Sequence, residues 1–182
     1  MVSSNEELII VDENDNVIGY RDKESCHNGR GILHRAFSIF IFNSRNELLL
    51  QRRSRYKRLW PLFWSNSCCG HPREGEKYIV AAKRRLKEEL GIEAKLECLF
   101  RFQYQAMYEN IGTENELCSV YVGKSDELPN INKEEIREWK YISIEKLSKE
   151  LKEQSDHYTP WFKIEWQHIL KRFMNKMKTL ET

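Results

Sequence analysis

Residues 36–42 read Ala-Phe-Ser-Ile-Phe-Ile-Phe, so nearly apolar that both faces of an extended strand carry bulky hydrophobic side chains. Such a strand has to be buried on both sides, inside a sheet that other elements cover. Further strand signals surround it. Residues 7–11 and 17–22 flank a polar cluster at 12–16 that reads as a hairpin turn. A looser stretch at 26–32 carries Gly29 and Gly31, and a turn at 43–46 leads into a strand at 47–53. Residues 54–64 are basic, aromatic and broken by Pro61, the composition of a loop.

After Gly75 the period changes to that of a helix. Ile79, Ala82, Leu86 and Leu90 recur at three- and four-residue spacing, and Gly91 is a natural stop. Strand patterns return at 95–108, where apolar and polar residues alternate from Phe100 onward, and at 115–123. A last strand at 139–142 precedes a helix at 143–153 with Ser143 in its cap region. Thr159 and Pro160 open the final helix, whose apolar stripe is Phe162, Trp166, Ile169, Leu170 and Phe173. Strands and helices mix without regular βαβ alternation, which predicts an α+β fold with a mixed sheet flanked by helices. No repeat or Pro/Gly-rich linker divides the chain, so residues 1–182 read as one domain. Its N-terminal hairpin and loop span 1–32, and a C-terminal helical segment spans 155–182.

Charge narrows the partners. With 30 basic and 28 acidic residues the net charge is +2, so nothing global favours nucleic acid or a membrane surface. No apolar stretch reaches membrane-spanning length. Five cysteines, an odd number, follow a polar, acidic beginning at residues 1–7, which predicts a reduced, cytoplasmic protein. Oligomeric state leaves no mark in the sequence.

Three histidines, His27, His34 and His71, stand beside glycines or reactive neighbours in the N-terminal half. Glu114 and Glu116 lie two apart at a strand entrance, so they share a face and repel unless a cation sits between them. Three imidazoles with two carboxylates make a donor set for one divalent metal; spacing alone also allows scattered surface or core residues. In Cys68-Cys69-Gly70-His71, Cys69 and His71 point the same way in extended chain. A nearby cation makes such a thiol a usable acid or base, whereas two buried packing cysteines are the plainer reading. Cys68, Cys26, Cys98 and Cys118 are expected to be structural. Lys23, Arg52, Arg53, Arg55, Lys57 and Arg58 gather around the aromatic loop, as a diphosphate site or as a solvated basic face.

Residues 70–92 resemble the Nudix box: Gly70, Glu76, Arg84, Leu86, Glu88, Glu89, Gly91 and Ile92 take its positions. One position departs. Nudix hydrolases carry glutamate directly after the arginine, and this chain has Arg85, which weakens a magnesium site and supplies a phosphate donor. Beyond the box, the segments 34–38 (His-Arg-Ala-Phe-Ser), 66–72 (Asn-Ser-Cys-Cys-Gly-His-Pro), 114–116 (Glu-Asn-Glu) and 159–162 (Thr-Pro-Trp-Phe) resemble type I isopentenyl-diphosphate delta-isomerases, which have a Nudix fold.

That resemblance implies a protein interconverting isopentenyl and dimethylallyl diphosphate through a tertiary carbocation. It implies one divalent metal (manganese, magnesium or zinc) on His27, His34, His71, Glu114 and Glu116, and catalysis by Cys69 and Glu116. Tyr104 is implied to hydrogen-bond that glutamate. Lys23, Arg53, Lys57 and Arg85 are implied to contact the diphosphate, Glu89 its magnesium, and Trp161 the carbocation. Glu88 meets the general box without being required by the isomerase pattern. Two other readings stand beside this one, a Nudix pyrophosphohydrolase of nucleotide diphosphates and a binding module with a purely structural metal.

Overall fold

The computed structural model describes residues 6–178, with side chains as far as Lys171. Residues 1–5 and 179–182 lie outside it, and Phe173 of the expected stripe lies outside the described side chains. The chain opens on an antiparallel hairpin, β1 (Glu7–Val11) and β2 (Val17–Asp22), as the polar cluster predicts. One helical turn follows, α1 (Lys23–Cys26), capped by the Asp22 carboxylate accepting from the Ser25 N–H. The expected loose stretch therefore begins only at His27.

Next come β3 (His34–Phe42), β4 (Leu48–Arg53), the short β5 (Trp64–Ser65) and β6 (Cys68–Gly70), and helix α2 (Tyr78–Leu90). A long hairpin, β7 (Leu96–Tyr108) and β8 (Gly112–Lys124), precedes β9 (Ile136–Ile142), α3 (Ile144–Glu153) and α4 (Pro160–Lys178). All nine strands join one mixed sheet. β3 is its hub. It pairs antiparallel with β1, β4 and β6 and parallel with β8, where His34 stands opposite Glu116.

Alternation along β3 sorts its side chains between two layers. Phe37, Ile39 and Ile41 pack with Leu49, Cys68 and the Ala82–Leu86 face of α2. Ala36, Phe40 and Phe42 pack on the other side against Phe162 and Trp166 of α4, with Phe40 stacked on Phe162 at 6.0 Å. Ile39, Phe40 and Ile41 are wholly buried, so each contributes roughly 1.5–3 kcal/mol of burial. The apolar run is thus covered on both faces. Ser38, its one polar member, points toward the α4 layer.

Helix ends follow the sequence signals. Gly91 closes α2 at φ +67°, a left-handed conformation that spares glycine the Cβ clash, with its N–H on the Lys87 carbonyl. Ser143 caps α3 by accepting from the Lys146 N–H. β8 and β9 each start three residues earlier than expected, and β3 two. β8 starts at Gly112, because Thr113 to Glu116 pair with β7 while their polar side chains hide the strand pattern. β9 starts at Ile136, and its exposed Arg137 and Glu138 mask the period in the same way. A register shift between Cys98 and Phe100 interrupts alternation in β7 and leaves Cys98 exposed, not packed as a structural cysteine would be.

Candidate active site

One cavity of about 330 Å³ opens between α1, the loop after β4, β6, α2 and the β7–β8 hairpin. Its floor gathers the histidines. His27 follows α1, His34 begins β3, and His71 leaves β6; one ring nitrogen from each and one Glu116 oxygen lie within 4.8 Å of one another. Gly112 makes the closure possible. A Cβ there would stand 2.6 Å from the His27 carbonyl, which instead accepts from the Thr113 N–H.

Hydrogen bonds at the back of the rings fix which nitrogen faces in. His27 Nδ1–H donates to the Lys23 carbonyl at 2.6 Å, so its Nε2 lone pair confronts Glu114 Oε2 at 2.8 Å. His34 Nδ1–H donates to the Ile32 carbonyl at 2.7 Å, leaving a buried Nε2 without a hydrogen-bond partner, 3.6 Å from Glu116 Oε1. Lone pairs aimed at carboxylates need a cation between them. The donor set fits a divalent metal held by His27, His34, His71 and Glu116, with Glu114 beside His27. At His71 electrostatics agree. Burial drives the His71 ring down to about 4, which keeps it a neutral ligand. Burial opposes charge on His27 too, but Glu114 outweighs it and raises that ring.

Above this floor, Tyr104 on β7 stands opposite Glu116 on β8, and its hydroxyl donates to Glu116 Oε2 at 2.6 Å. Burial pushes the phenol well up, with Glu116 adding to it. Glu116 itself is held well below the usual carboxylate range, because the His34 and His71 rings overcome the cost of its burial. Cys69 reaches the same cavity from β6. Its thiol donates to Asn66 Oδ1 at 3.1 Å, and Asn66 is held in turn by donating to the Ile39 and Cys68 carbonyls. Cys68 points to the α2 layer, as its position one residue earlier predicts. Trp161, only 3% exposed, closes one wall and donates its indole N–H to Ser65 Oγ. Trp60 meets it edge-on at 5.3 Å.

The mouth is cationic. Lys23, Arg53, Lys57 and Arg85 all line it, and Arg58 joins them. Arg53 lies 5.2 Å over the Trp161 ring while donating to the Leu59 and Trp60 carbonyls. Lys57 and Arg85 share Glu135, and Lys23 pairs with Glu6 at 2.8 Å. Burial alone would raise the Glu135 carboxyl, but Lys57 and Arg85 hold it at about 2. Arg52 and Arg55 stay out of the cavity, on Glu138 and over the Tyr56 ring respectively. Glu89 is buried beneath Arg85 and bonded to it, outside the cavity lining, and Glu88 bridges Arg84 and Arg85 at the surface.

Sequence reasoning missed Glu6, Glu135, Asn66, Ser38 and Glu165. Two of these had a signal. Ser38 is the only hydroxyl in the apolar run, and Glu165 is an acid between Phe162 and Trp166 on the apolar stripe of α4.

Comparison places this arrangement among known proteins. Residues 32–162 match the NUDIX domain model, so this is a Nudix-domain protein. A solved structure from Deinococcus radiodurans aligns over 82% of this chain and 90% of its own, with TM-score 0.67 and 25% identity. The isopentenyl-diphosphate delta-isomerase 1 of Photorhabdus laumondii is 42% identical over 94% of this chain and 99% of its own length. That of Serratia proteamaculans is 45% identical over 86% of this chain and 87% of its own. This chain belongs to the isopentenyl-diphosphate delta-isomerase family within the Nudix domain proteins.

Proposed function

We propose that the chain interconverts isopentenyl diphosphate and dimethylallyl diphosphate, with Cys69 and Glu116 as the acid/base pair. The observation that carries this assignment is that a thiol and a carboxylate from different strands line one cavity beside a cationic mouth. Adding a proton to the terminal alkene carbon gives a tertiary cation, and loss of a neighbouring proton gives the isomer. One member of the pair supplies the first proton and the other takes the second, and a proton passed back between them or exchanged with solvent restores the starting state. Tyr104, bonded to Glu116, relays a proton on that side. The Trp161 face stabilises the cation by ~2 kcal/mol once water is excluded, as Leu59, Trp60 and Trp161 arrange.

A divalent ion on the histidine floor would fix the Glu116 carboxylate and tune its acidity when bound, with manganese, magnesium and zinc all suited to the mixed donors. Lys23, Arg53, Lys57 and Arg85 grip the diphosphate. Once Arg85 turns to phosphate, Glu89 is freed for magnesium carried by the substrate. A small isoprenyl diphosphate is the partner, with nucleic acid given no surface by the near-neutral charge. Among the described residues no helix is long and apolar enough to cross a membrane. Five free thiols suit the reduced, cytoplasmic setting inferred above. The pyrophosphohydrolase reading fares worse, because Arg85 stands where the hydrolases carry a further glutamate and leaves the helix one carboxylate short.

Proton NMR of isopentenyl diphosphate with the protein in deuterium oxide tests this. We expect dimethylallyl diphosphate carrying deuterium and no free phosphate. Phosphate release without isomerisation overturns the proposal.

A further inference from the structure

Behind Cys69 lies a small buried cluster of polar side chains that the mechanism above does not use. Glu165 of α4 is wholly buried in the apolar layer between β3 and α4. The titratable groups set against it are Cys118 and Glu116 on β8 and Cys69 on β6, and Ser38 on β3 completes the set. None is a cation. Its Oε1 accepts from the Cys118 thiol at 3.5 Å, and its buried Oε2 has no partner. The Cys118 thiol also lies 3.5 Å from Ser38 Oγ, and Ser38 Oγ stands 3.6 Å from Cys69 Sγ.

We propose that Glu165 is a positioning residue for Cys69, acting through the Cys118 thiol and the Ser38 hydroxyl so that this hydroxyl faces the Cys69 sulfur. The inference rests on the reading of Cys69 as an acid/base group. Ser38 has one hydrogen to give and two neighbours that can take it. A neutral Glu165, its Oε1 taken by the Cys118 thiol, puts no negative charge beside Ser38 and leaves the hydroxyl hydrogen for Cys69. An ionised Glu165 only accepts, and draws the same hydrogen away. Burial without a cation pushes this carboxyl up to about 8, so it keeps its proton at neutral pH. On the far side of Cys69, Asn66 takes the thiol hydrogen, so the sulfur is fixed from two directions. An acid in an apolar stripe has a job here that a hydrophobic residue does not do.

The test is the pH profile of kcat and KM for isopentenyl diphosphate in the metal-loaded protein, from about pH 6 to about pH 9.5. We expect Glu165→Leu to lower kcat about tenfold with KM within about twofold, the effect of one lost orienting hydrogen bond. Glu165→Gln, which can donate but not ionise, should recover most of that loss and flatten the decline seen in the parent above about pH 8. On a Ser38→Ala background the Gln substitution should change neither. Parent-like kcat in Glu165→Leu, or parent and Glu165→Gln profiles that superimpose, overturns the inference. Should Glu165→Leu fail to fold, the Gln profile and the Ser38→Ala pair decide alone. Cys69→Ala in the same assay separates the two readings. Near-normal turnover there removes the role of Cys69 itself, whereas an inactive Cys69→Ala beside unaffected Glu165 variants removes only the role of Glu165.

Discussion

Glu116 and Glu165 are both buried carboxyls a short way from Cys69, yet the protein drives them in opposite directions. Burial pushes each one up. Around Glu116 stand His71 at 3.1 Å, His34 at 3.6 Å and the Tyr104 hydroxyl, and together they hold it well below the ordinary range. Around Glu165 stand a hydroxyl, thiols and, farther off, the Glu116 charge, and it rises through its burial to about 8. Depth raises both, and the partners decide which one stays raised, so a site that needs one charged and one neutral carboxyl can keep both near one thiol.

The largest blow to that contrast falls on the charged side. Glu116→Gln should cut turnover by at least ~100-fold, as should Cys69→Ala, measured by steady-state isomerisation; near-normal rates would remove the assigned pair. Stripping metal is the next largest. We expect chelation to lower the melting temperature by on the order of 10 °C, with manganese, magnesium or zinc restoring it in proportion to occupancy. An unchanged melting curve with metal demonstrably removed would mean that the histidines hold no stabilising ion.

The smallest effect sharpens the neutral side. The folded Glu165 carboxyl sits near 8 against an unfolded value of 4.5, so its contribution is intact below 4.5 and lost as pH rises toward 8. Glu165→Gln escapes that loss. Its melting temperature relative to the parent should therefore improve between pH 4 and pH 9, by about 5 °C. A constant difference across that range would show that Glu165 does not titrate as its surroundings imply.

Much of this was legible in the sequence, and for identifiable reasons. β3 and α2 declare themselves through local pattern, a solid apolar run and a three-and-four repeat ending in glycine. His27, His34, His71, Glu114 and Glu116 were found because their residue types are rare and chemically pointed. What stayed hidden depends on distant partners. Glu135 looks like any surface acid until β9 brings it between Lys57 and Arg85. Glu89 looked free for a metal until Arg85, four residues before it, folded down onto it. Cys98 fits a packed strand position, and only the register shift beside it turns it outward.

The acids at the mouth have a consequence for how substrate arrives. Lys23 already leans on Glu6, and Lys57 and Arg85 already share Glu135, so an incoming diphosphate meets a positive field that is already partly neutralised. It has to displace resident anions, swapping one set of ion pairs for another. Capture by such a gate responds less to added salt than its roster of lysines and arginines suggests, because much of the screening is built into the chain.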